Sequence, residues 1–354
     1  MKKAEAVLVP LGAMVAGLLV FGLFCAALGV NPFLVYASIY KAGFGSWYSW
    51  QNTLVRASPL LLGALCTAIP ARAGIIVIGN EGAIIVGGLG AIWAGLATPS
   101  LPPFLALTVM TFAAMLCGGL WIAAEVALQH YRGVSAVISG LLLNYLAIAL
   151  MNQLIEGPLR DPSSFNSPAS YPLAPSHRLG SFAGTHVHHG LIFGVAACLL
   201  AWFLIDRTTF GFAMKIGGGN VRAAQLAGLP VGRLVVIAGL LGGACAGIAG
   251  MVEVAAVHGR ANESLNAGYG YSGILVAFLS RQNPLVIVLV SLLTGGLLAS
   301  GGMLQRAHDL PDATIAVLQG ILFLFILLSD TFYGRFNFTR TKTPEARAAH
   351  ANAA

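Results

Sequence analysis

The chain has 354 residues, of which 57% are apolar and only 9% are charged. Because a soluble domain carries about 25% charged residues, this composition excludes an ordinary water-soluble fold and predicts that lipid is the main solvent. The net charge of +7 does not indicate nucleic-acid binding, because there is no dense basic run and the basic residues lie in short loops between apolar runs.

Apolar runs predict an all-α polytopic membrane protein with about ten transmembrane helices, some of them short or broken. The first run is too long for the apolar core of a signal peptide, so we predict a retained first span. The run at 270–280 is too short to cross alone unless irregular backbone extends it. The predicted spans are residues 7–29, 51–71, 74–97, 103–128, 134–155, 189–206, 233–257, 270–280, 284–303 and 312–330.

The positions of Lys and Arg predict cytoplasmic N- and C-termini in the cytoplasmic (inner) membrane, because cytoplasmic loops carry an excess of these residues. The predicted organisation is a transmembrane domain at 1–335 and a cytoplasmic tail, predicted to be disordered, at 336–354. The domain includes an extracytoplasmic loop at 156–188 and a cytoplasmic segment at 207–232. Six of the 19 basic residues then fall outside, namely Lys41, Arg56, Arg160, Arg178, Arg260 and Arg306.

The 207–232 segment carries the signal of a short helix between glycines. A triple glycine at 217–219 precedes Asn220, which is placed to cap a helix that ends at Leu226. Gly228 and Pro230 then stop this helix. Composition alone favours a plain connecting loop over a docking helix for another protein.

The same segment resembles the cytoplasmic loop in permeases of the branched-chain amino acid, ribose and nucleoside ABC importers. The shared pattern is carried by Thr208, Gly211, Lys215, Gly218, Asn220, Ala223, Ala224 and Gly228. The resemblance implies that this loop forms a coupling helix that seats in a cleft of an ATPase subunit. The family usually has a Pro and an acidic residue after the Asn, where this chain has Val221 and Arg222.

Two further stretches resemble the nucleoside (simple-sugar) branch of this family. In the third predicted span, Gly79, Asn80, Glu81 and Gly82 align with the signature NIG-x-EGQ, with Ala83 replacing the Gln. The stretch GYGYSG from residue 268, followed by SRQNP and a glycine-rich span, is similar to the final helices of the family. The resemblance covers most of residues 50–330.

Glu81 is the most informative polar residue within a predicted span. It is expected about 10 Å below the start of its helix, where a charge costs several kcal/mol unless it faces a cavity or a partner. Asn80 and Glu81 therefore lie either on a translocation path or at a hinge beside it, or in a structural polar contact that locks two helices. Gly79 and Gly82 on either side permit close helix approach.

Three other polar residues lie within predicted spans. Glu125 is expected to reach the membrane interface from near the inner end of its span. Glu253 is expected either to pair with His258 or Arg260 or to take part in transport. Asn144 either bridges helices or offers hydrogen bonds to a passing solute.

Other side chains and motifs exclude several chemistries. His186, His188 and His189 lack a Cys or acidic neighbour at ligand spacing, so they predict an interfacial or loop cluster rather than a metal site. The five cysteines all fall in apolar runs, which predicts small core residues without disulfides. The chain has no P-loop sequence, so it cannot bind ATP by that motif, and an ATP-driven mechanism requires a separate ATPase subunit.

The sequence therefore predicts a non-catalytic, pore-forming permease subunit of an ATP-driven importer, with a nucleoside or related simple-sugar-containing solute as its substrate. The resemblance implies three partners: an ABC ATPase, a second and related permease chain, and an extracytoplasmic binding protein or lipoprotein. No cofactor or metal is expected. The alternatives left open are an ion-coupled secondary transporter, a membrane-embedded enzyme, and an importer of branched-chain amino acids or monosaccharides.

Overall fold

The computed structural model describes residues 2–164 and 167–332, and the predicted tail at 336–354 lies outside these residues. Every regular element in this part of the chain is helical. The α-helices are α1 (Lys2–Ala27), α2 (Pro32–Phe44), α3 (Trp47–Ala71), α4 (Asn80–Ala97), α5 (Pro103–Arg132), α6 (Ala136–Glu156), α7 (Gly190–Arg207), α8 (Thr209–Gly219), α9 (Val221–Leu226), α10 (Val231–Val252), α11 (Tyr269–Leu279), α12 (Pro284–His308) and α13 (Ala313–Phe332). A π-helical turn, Glu253–His258, continues α10.

Seven of the described helices are long and apolar enough to cross a bilayer, namely α3, α4, α5, α6, α7, α10 with its π-helical turn, and α12. Helices α1 and α2 meet at a bend of 115° and count as an eighth span if the pair crosses together. The expectation of an all-α, multi-pass membrane protein is therefore confirmed, with seven or eight candidate spans.

Helix α11 is the short segment that the sequence predicts. Its 11 residues extend about 16 Å, roughly half of the ~30 Å hydrocarbon core of a bilayer. Irregular backbone with a 3₁₀ turn, Glu263–Leu265, joins the π-helical turn to α11. Because non-helical backbone at membrane depth is tolerated only against protein or water, the start of α11 requires polar partners inside the protein.

The beginning of the chain differs from the prediction. Residues 30–50 are predicted to lie between spans, whereas residues 32–44 form α2 and α3 begins at Trp47 rather than at residue 51. Asn31 and Ser46 cap these two helices with their side-chain oxygens, which is the local reason for both starts. Arg56, predicted in the outer set of basic residues, consequently lies in the third turn of α3.

Helix α10 packs against α3, α4 and α5 through glycines. Gly247 faces the backbone of Ala114 in α5 and of Gly87 in α4, and Gly250 faces the carbonyl of Ile84. Small residues permit such backbone contact between membrane helices, whose association is driven by close packing rather than by expulsion of water. The centre of the protein therefore depends on glycines of α10.

Replacing Gly247 with alanine is expected to lower the free energy of unfolding by about 1–3 kcal/mol, as overpacking a tight contact does. The new Cβ would overlap the carbonyl oxygen of Ala114, and backbone cannot rotate away as a side chain can. Gly12→Ala in α1 is the matched control, because no heavy atom lies within 4 Å of its Cβ position. Thermal unfolding in detergent measures both, and equal midpoints would contradict the packing role of Gly247.

The predicted extracytoplasmic loop forms no separate domain. The Leu173 N–H donates to the carbonyl of Gly259 at 2.8 Å, and the Leu179 N–H donates to the carbonyl of Ala255 at 2.9 Å. These bonds hold the loop against the π-helical end of α10. All five cysteines lie within helices and are free; Cys25, Cys66 and Cys198 are buried, and Cys117 and Cys245 are partly buried.

Candidate functional site

Helix α4 begins later than predicted. Its first residue is Asn80 rather than residue 74, so Glu81 lies in the first turn and not about 10 Å along the helix. Gly74 adopts a left-handed conformation with φ of +79°, which ends the turn after α3. Since the first four N–H groups of a helix have no partner within it, the buried start of α4 must obtain acceptors from other elements.

Glu125 supplies acceptors for the two N–H groups that directly precede α4. Its carboxylate accepts the N–H groups of Ile78 and Gly79, each at 3.2 Å, and the residue is only 1% exposed. The expectation that Glu125 reaches the membrane interface is therefore wrong. A carboxylate at a helix N-terminus also interacts favourably with the positive end of the helix dipole, so Glu125 stabilises the start of α4 from α5.

Asn144 bridges three helices. Its Oδ1 accepts the N–H of Gly82 at 2.7 Å. Its Nδ2 donates to the carbonyl of Ile78 and to the hydroxyl of Tyr271, both at 3.2 Å. Asn144 thereby joins α6 to the first turn of α4 and to α11, which agrees with the helix-bridging alternative.

Glu81 caps a second helix start. Its two carboxylate oxygens accept the N–H of Gly268 at 2.7 Å and the N–H of Gly270 at 2.6 Å, at the N-terminus of α11. Gly268 has a φ of +78°, and a Cβ on Gly270 would overlap the backbone of Glu81. The side chain of Glu81 has no exposed surface, so its carboxylate serves the backbone of α11.

Asn80 extends this arrangement to α3. Its Nδ2 donates to Thr67 Oγ1 at 2.6 Å and to the carbonyl of Gly63 at 3.2 Å. We define the α4–α11 junction as Asn80, Glu81, Glu125, Asn144 and the peptide groups that they bind. The junction connects α3, α4, α5, α6 and α11 inside the protein.

Glu253 lies apart from the hydrogen bonds of the junction. Its carboxylate is 3.5 Å from Nε2 of His258, so the two form an ion pair when His258 is protonated. Of the two predicted partners, His258 is therefore the one in contact. Glu253 is buried and begins the π-helical turn, a type of turn that is frequent at functional sites.

A cavity of about 830 Å³ opens between α11 and α13. None of the six residues predicted for a translocation path or hinge lines it. Its polar lining includes Arg56, Asn266, Tyr271, Asp312 and Gln319, which the sequence analysis did not select. Arg56 already lies within the predicted span 51–71, and a charge within a span indicates a functional contact, so the sequence contained a signal for this residue.

The 207–232 segment contains two helices joined by Asn220. Asn220 Oδ1 accepts the N–H of Ala223 at 3.0 Å, and Gly228 adopts φ of +76° after the end of α9. The predicted cap and stop of α9 are therefore confirmed. The triple glycine forms the last turn of α8, which Thr208 caps at its start.

The segment touches the connection between α3 and α4. A Cβ on Gly218 would lie 2.7 Å from the carbonyl oxygen of Arg72, so only glycine permits this approach. The Arg72 guanidinium in turn donates to the carbonyl of Gln282 at 2.9 Å, between α11 and α12. Gly218 is thus in contact with the backbone that leads directly to the α4–α11 junction.

Helix α9 presents one buried and several exposed residues. Ala224 is fully buried, whereas Leu226 is 91% exposed. Lys215 of α8 forms an exposed ion pair with Asp206 at 2.9 Å, and Gly211 fits against the carbonyl of Ile205, where a Cβ would overlap it. The segment is therefore a compact helical unit with an uncovered apolar side chain at its tip.

Known proteins resemble this chain over nearly its whole length. It is 30% identical to the glucose ABC transporter permease protein TsgB13 of Haloferax volcanii, covering 91% of this chain and 87% of that protein. It is 29% identical to the guanosine ABC transporter permease protein NupP of Bacillus subtilis, covering 93% and 95%. It is 26% identical to the nucleoside ABC transporter permease protein NupB of Lactococcus lactis, covering 92% and 91%.

The family comparison agrees with these relatives. Residues 49–327 match the family model described as the permease component of a branched-chain amino acid transport system. This range includes all but the first two residues of α3, the helices from α4 to α12, the α4–α11 junction and the 207–232 segment. The chain belongs to this permease family and is the membrane-spanning permease component of an ABC transporter.

Proposed function

We propose that this permease imports a nucleoside or a related simple-sugar-containing solute across the cytoplasmic membrane. It forms the pore with a second, related permease chain, receives the solute from an extracytoplasmic binding protein or lipoprotein, and takes its energy from a separate ABC ATPase. Relatives named for guanosine and nucleosides support the substrate class. The relative named for glucose supports a sugar as the second candidate.

The geometry of the 207–232 segment is the main support for an ATP-driven mechanism. Helix α9 is held at its ends by Asn220 and Gly228, while Leu226 at its tip is uncovered. We assign the coupling role to this segment, in which α9 docks into the ATPase and α8 transmits the displacement. Gly218 contacts the backbone around Arg72, so a movement of α8 would displace the α3–α4 connection.

The α4–α11 junction acts in this proposal as a lock and hinge between helices rather than as a lining of the path. Glu81 and Asn80 are buried and bonded to protein groups. Because the junction receives both the α3–α4 connection and the start of α11, it is suited to convert displacement of α8 into tilting of α11. Gly79 and Gly82 have no side chains, so other helices can approach the same helix start closely.

The proposed topology has ten crossings, with both termini and the 207–232 segment in the cytoplasm. Placing Arg56 within α3 removes one basic residue from the outer loops, which strengthens the excess of basic residues inside. The α1–α2 pair and α11 are the broken or short crossings. Cysteine labelling of Leu226→Cys from each side of the membrane tests this arrangement.

Reconstitution tests the proposed function. Proteoliposomes containing both permeases and the ATPase, supplied with the binding protein, are expected to take up tritiated guanosine only when ATP is present. Labelled glucose and leucine are the competing solutes. Uptake that survives without the ATPase and follows an ion gradient would support a secondary transporter instead, and uptake of leucine alone would support an amino acid importer.

A further inference from the structure

Two helical faces form the walls of the 830 Å³ cavity. Residues Ala313, Ala316, Gly320 and Phe323 recur at intervals of three or four along α13, and therefore lie on one side of that helix. Gly268, Tyr271 and Leu275 do the same along α11. The cavity volume lies within the range of roughly 300–1,000 Å³ that is typical of small-molecule sites.

Charged side chains line the cavity and disfavour contact with lipid there. Arg56 and Asp312 both line it and both are exposed. A charged side chain in contact with lipid at a helix centre costs roughly 2.5–3.5 kcal/mol, so a position within α3 requires that Arg56 face water or another polar group. The exposure of Arg56 and Asp312 at the cavity satisfies this requirement if the cavity holds water or a polar solute.

Gln319 has an unused hydrogen-bonding group at this cavity. Its Oε1 is 3.0 Å from Ser272 Oγ, whereas its Nε2 is buried and has no hydrogen-bond partner among the described residues. Whichever way the amide is turned, one of its two polar atoms stays free. An unpaired buried donor or acceptor costs about 1–3 kcal/mol, which a bound solute would relieve.

Aromatic rings lie on both walls. The ring of Tyr271 is on α11, is 44% exposed, and has its hydroxyl held by Asn144. Phe323 lies on α13 and is fixed by an edge-to-face contact with Phe278, with ring centroids 6.0 Å apart. Rings held in this way are suited to stack on a nucleobase, an interaction worth about 1–3 kcal/mol per base in other proteins.

The same cavity disfavours anions. The N-terminus of α11 borders it at Gly268, and a helix N-terminus is where a phosphate or carboxylate would ordinarily bind. Here the carboxylate of Glu81 already accepts the N–H groups of Gly268 and Gly270. Among the described residues that line the cavity, Asp312 balances the charge of Arg56, so no net positive charge is available for a phosphate.

We propose that the cavity between α11 and α13 is the permease's own solute site, that Tyr271 and Gln319 recognise a nucleobase there, and that the site rejects the phosphorylated form. This inference rests on the proposed function and adds to it the residues that select the solute. Ala316 and Gly320 also line the cavity, and their small size leaves room for the solute.

Cysteine protection tests the site directly. Ala316→Cys places a thiol in the cavity, and Val317→Cys places one on the neighbouring position, which does not line it. In the assembled transporter in nanodiscs, millimolar guanosine is expected to slow modification of the thiol at position 316 and not of the one at 317. Guanosine monophosphate and leucine are expected to protect neither. No protection by guanosine, or equal protection by its monophosphate, would overturn the proposal.

Aromatic substitution gives the second readout. Tyr271→Leu is expected to lower guanosine uptake about 5- to 150-fold. Tyr271→Phe keeps the ring and is expected to retain most of the uptake. Equal uptake by both variants and the unmodified protein would contradict recognition by the ring. If the unmodified transporter takes up no guanosine, the proposed function fails; if it does and position 316 is unprotected, only this inference fails.

Discussion

Replacing Glu81 with alanine is expected to lower the free energy of unfolding by about 3–6 kcal/mol and to abolish uptake. The carboxylate accepts two backbone N–H groups at the start of α11, and a hydrogen bond to a charged group is worth about 1.5–3 kcal/mol. Its loss would leave both N–H groups buried without an acceptor. Because whole proteins are stable by only about 5–15 kcal/mol, much of the folded protein would be lost.

A graded series separates a lock from a general packing defect. Glu81→Gln keeps one acceptor oxygen but turns an amide donor toward an N–H group, so about half of the loss and impaired uptake are expected. Glu156→Gln makes the same chemical change at an exposed position and is expected to change stability by less than about 0.5 kcal/mol. Thermal unfolding in detergent and uptake in proteoliposomes are the measurements. Unchanged uptake with Glu81→Gln would show that the carboxylate is not needed for transport and only stabilises helix packing.

The second large effect is expected at Gly228. Proline holds φ near −65° and has no N–H, whereas Gly228 has φ of +76° and donates its N–H to the carbonyl of Gln225. Gly228→Pro must therefore rebuild the end of α9. We expect loss of ATPase co-purification without loss of membrane insertion, and the same result when residues 217–224 are deleted.

Controls within the same segment make this prediction specific. Gly219→Ala introduces a Cβ where no heavy atom lies within 4 Å and φ is not in the left-handed region, so normal association is expected. Gly228→Ala should give an intermediate result, because a left-handed alanine is strained by roughly 1–2 kcal/mol. Normal co-purification of the proline variant would reject the coupling role of α9.

Local chemistry made some of these features predictable. The cap at Asn220 and the stop at Gly228 depend on residues that are neighbours in sequence, so their pattern was sufficient to predict α9. The short α11 was predictable for a related reason, since a short apolar run can form only a short helix. The resemblance of the 207–232 segment to ABC permeases also agreed with the family match.

The start of α4 shows where such reasoning fails. Residues 74–78 are apolar enough to continue a helix, so the predicted span began at 74. The observed start at Asn80 accompanies hydrogen bonds from Ile78 and Gly79 to Glu125, which is 46 or 47 positions away in the sequence. A pattern within one run carries no information about such a partner.

The sequence by itself determined that this chain is a membrane protein, because long apolar runs with few charges are stable only in lipid. It also determined the helix caps that depend on neighbouring residues. Only the tertiary structure decided which polar side chains meet. Glu81 binds the N–H of Gly268, 187 positions away, and Arg56 and Gln319 reach one cavity from α3 and α13. Those contacts depend on how helices pack, and packing is a property of the whole assembly of helices rather than of any one run.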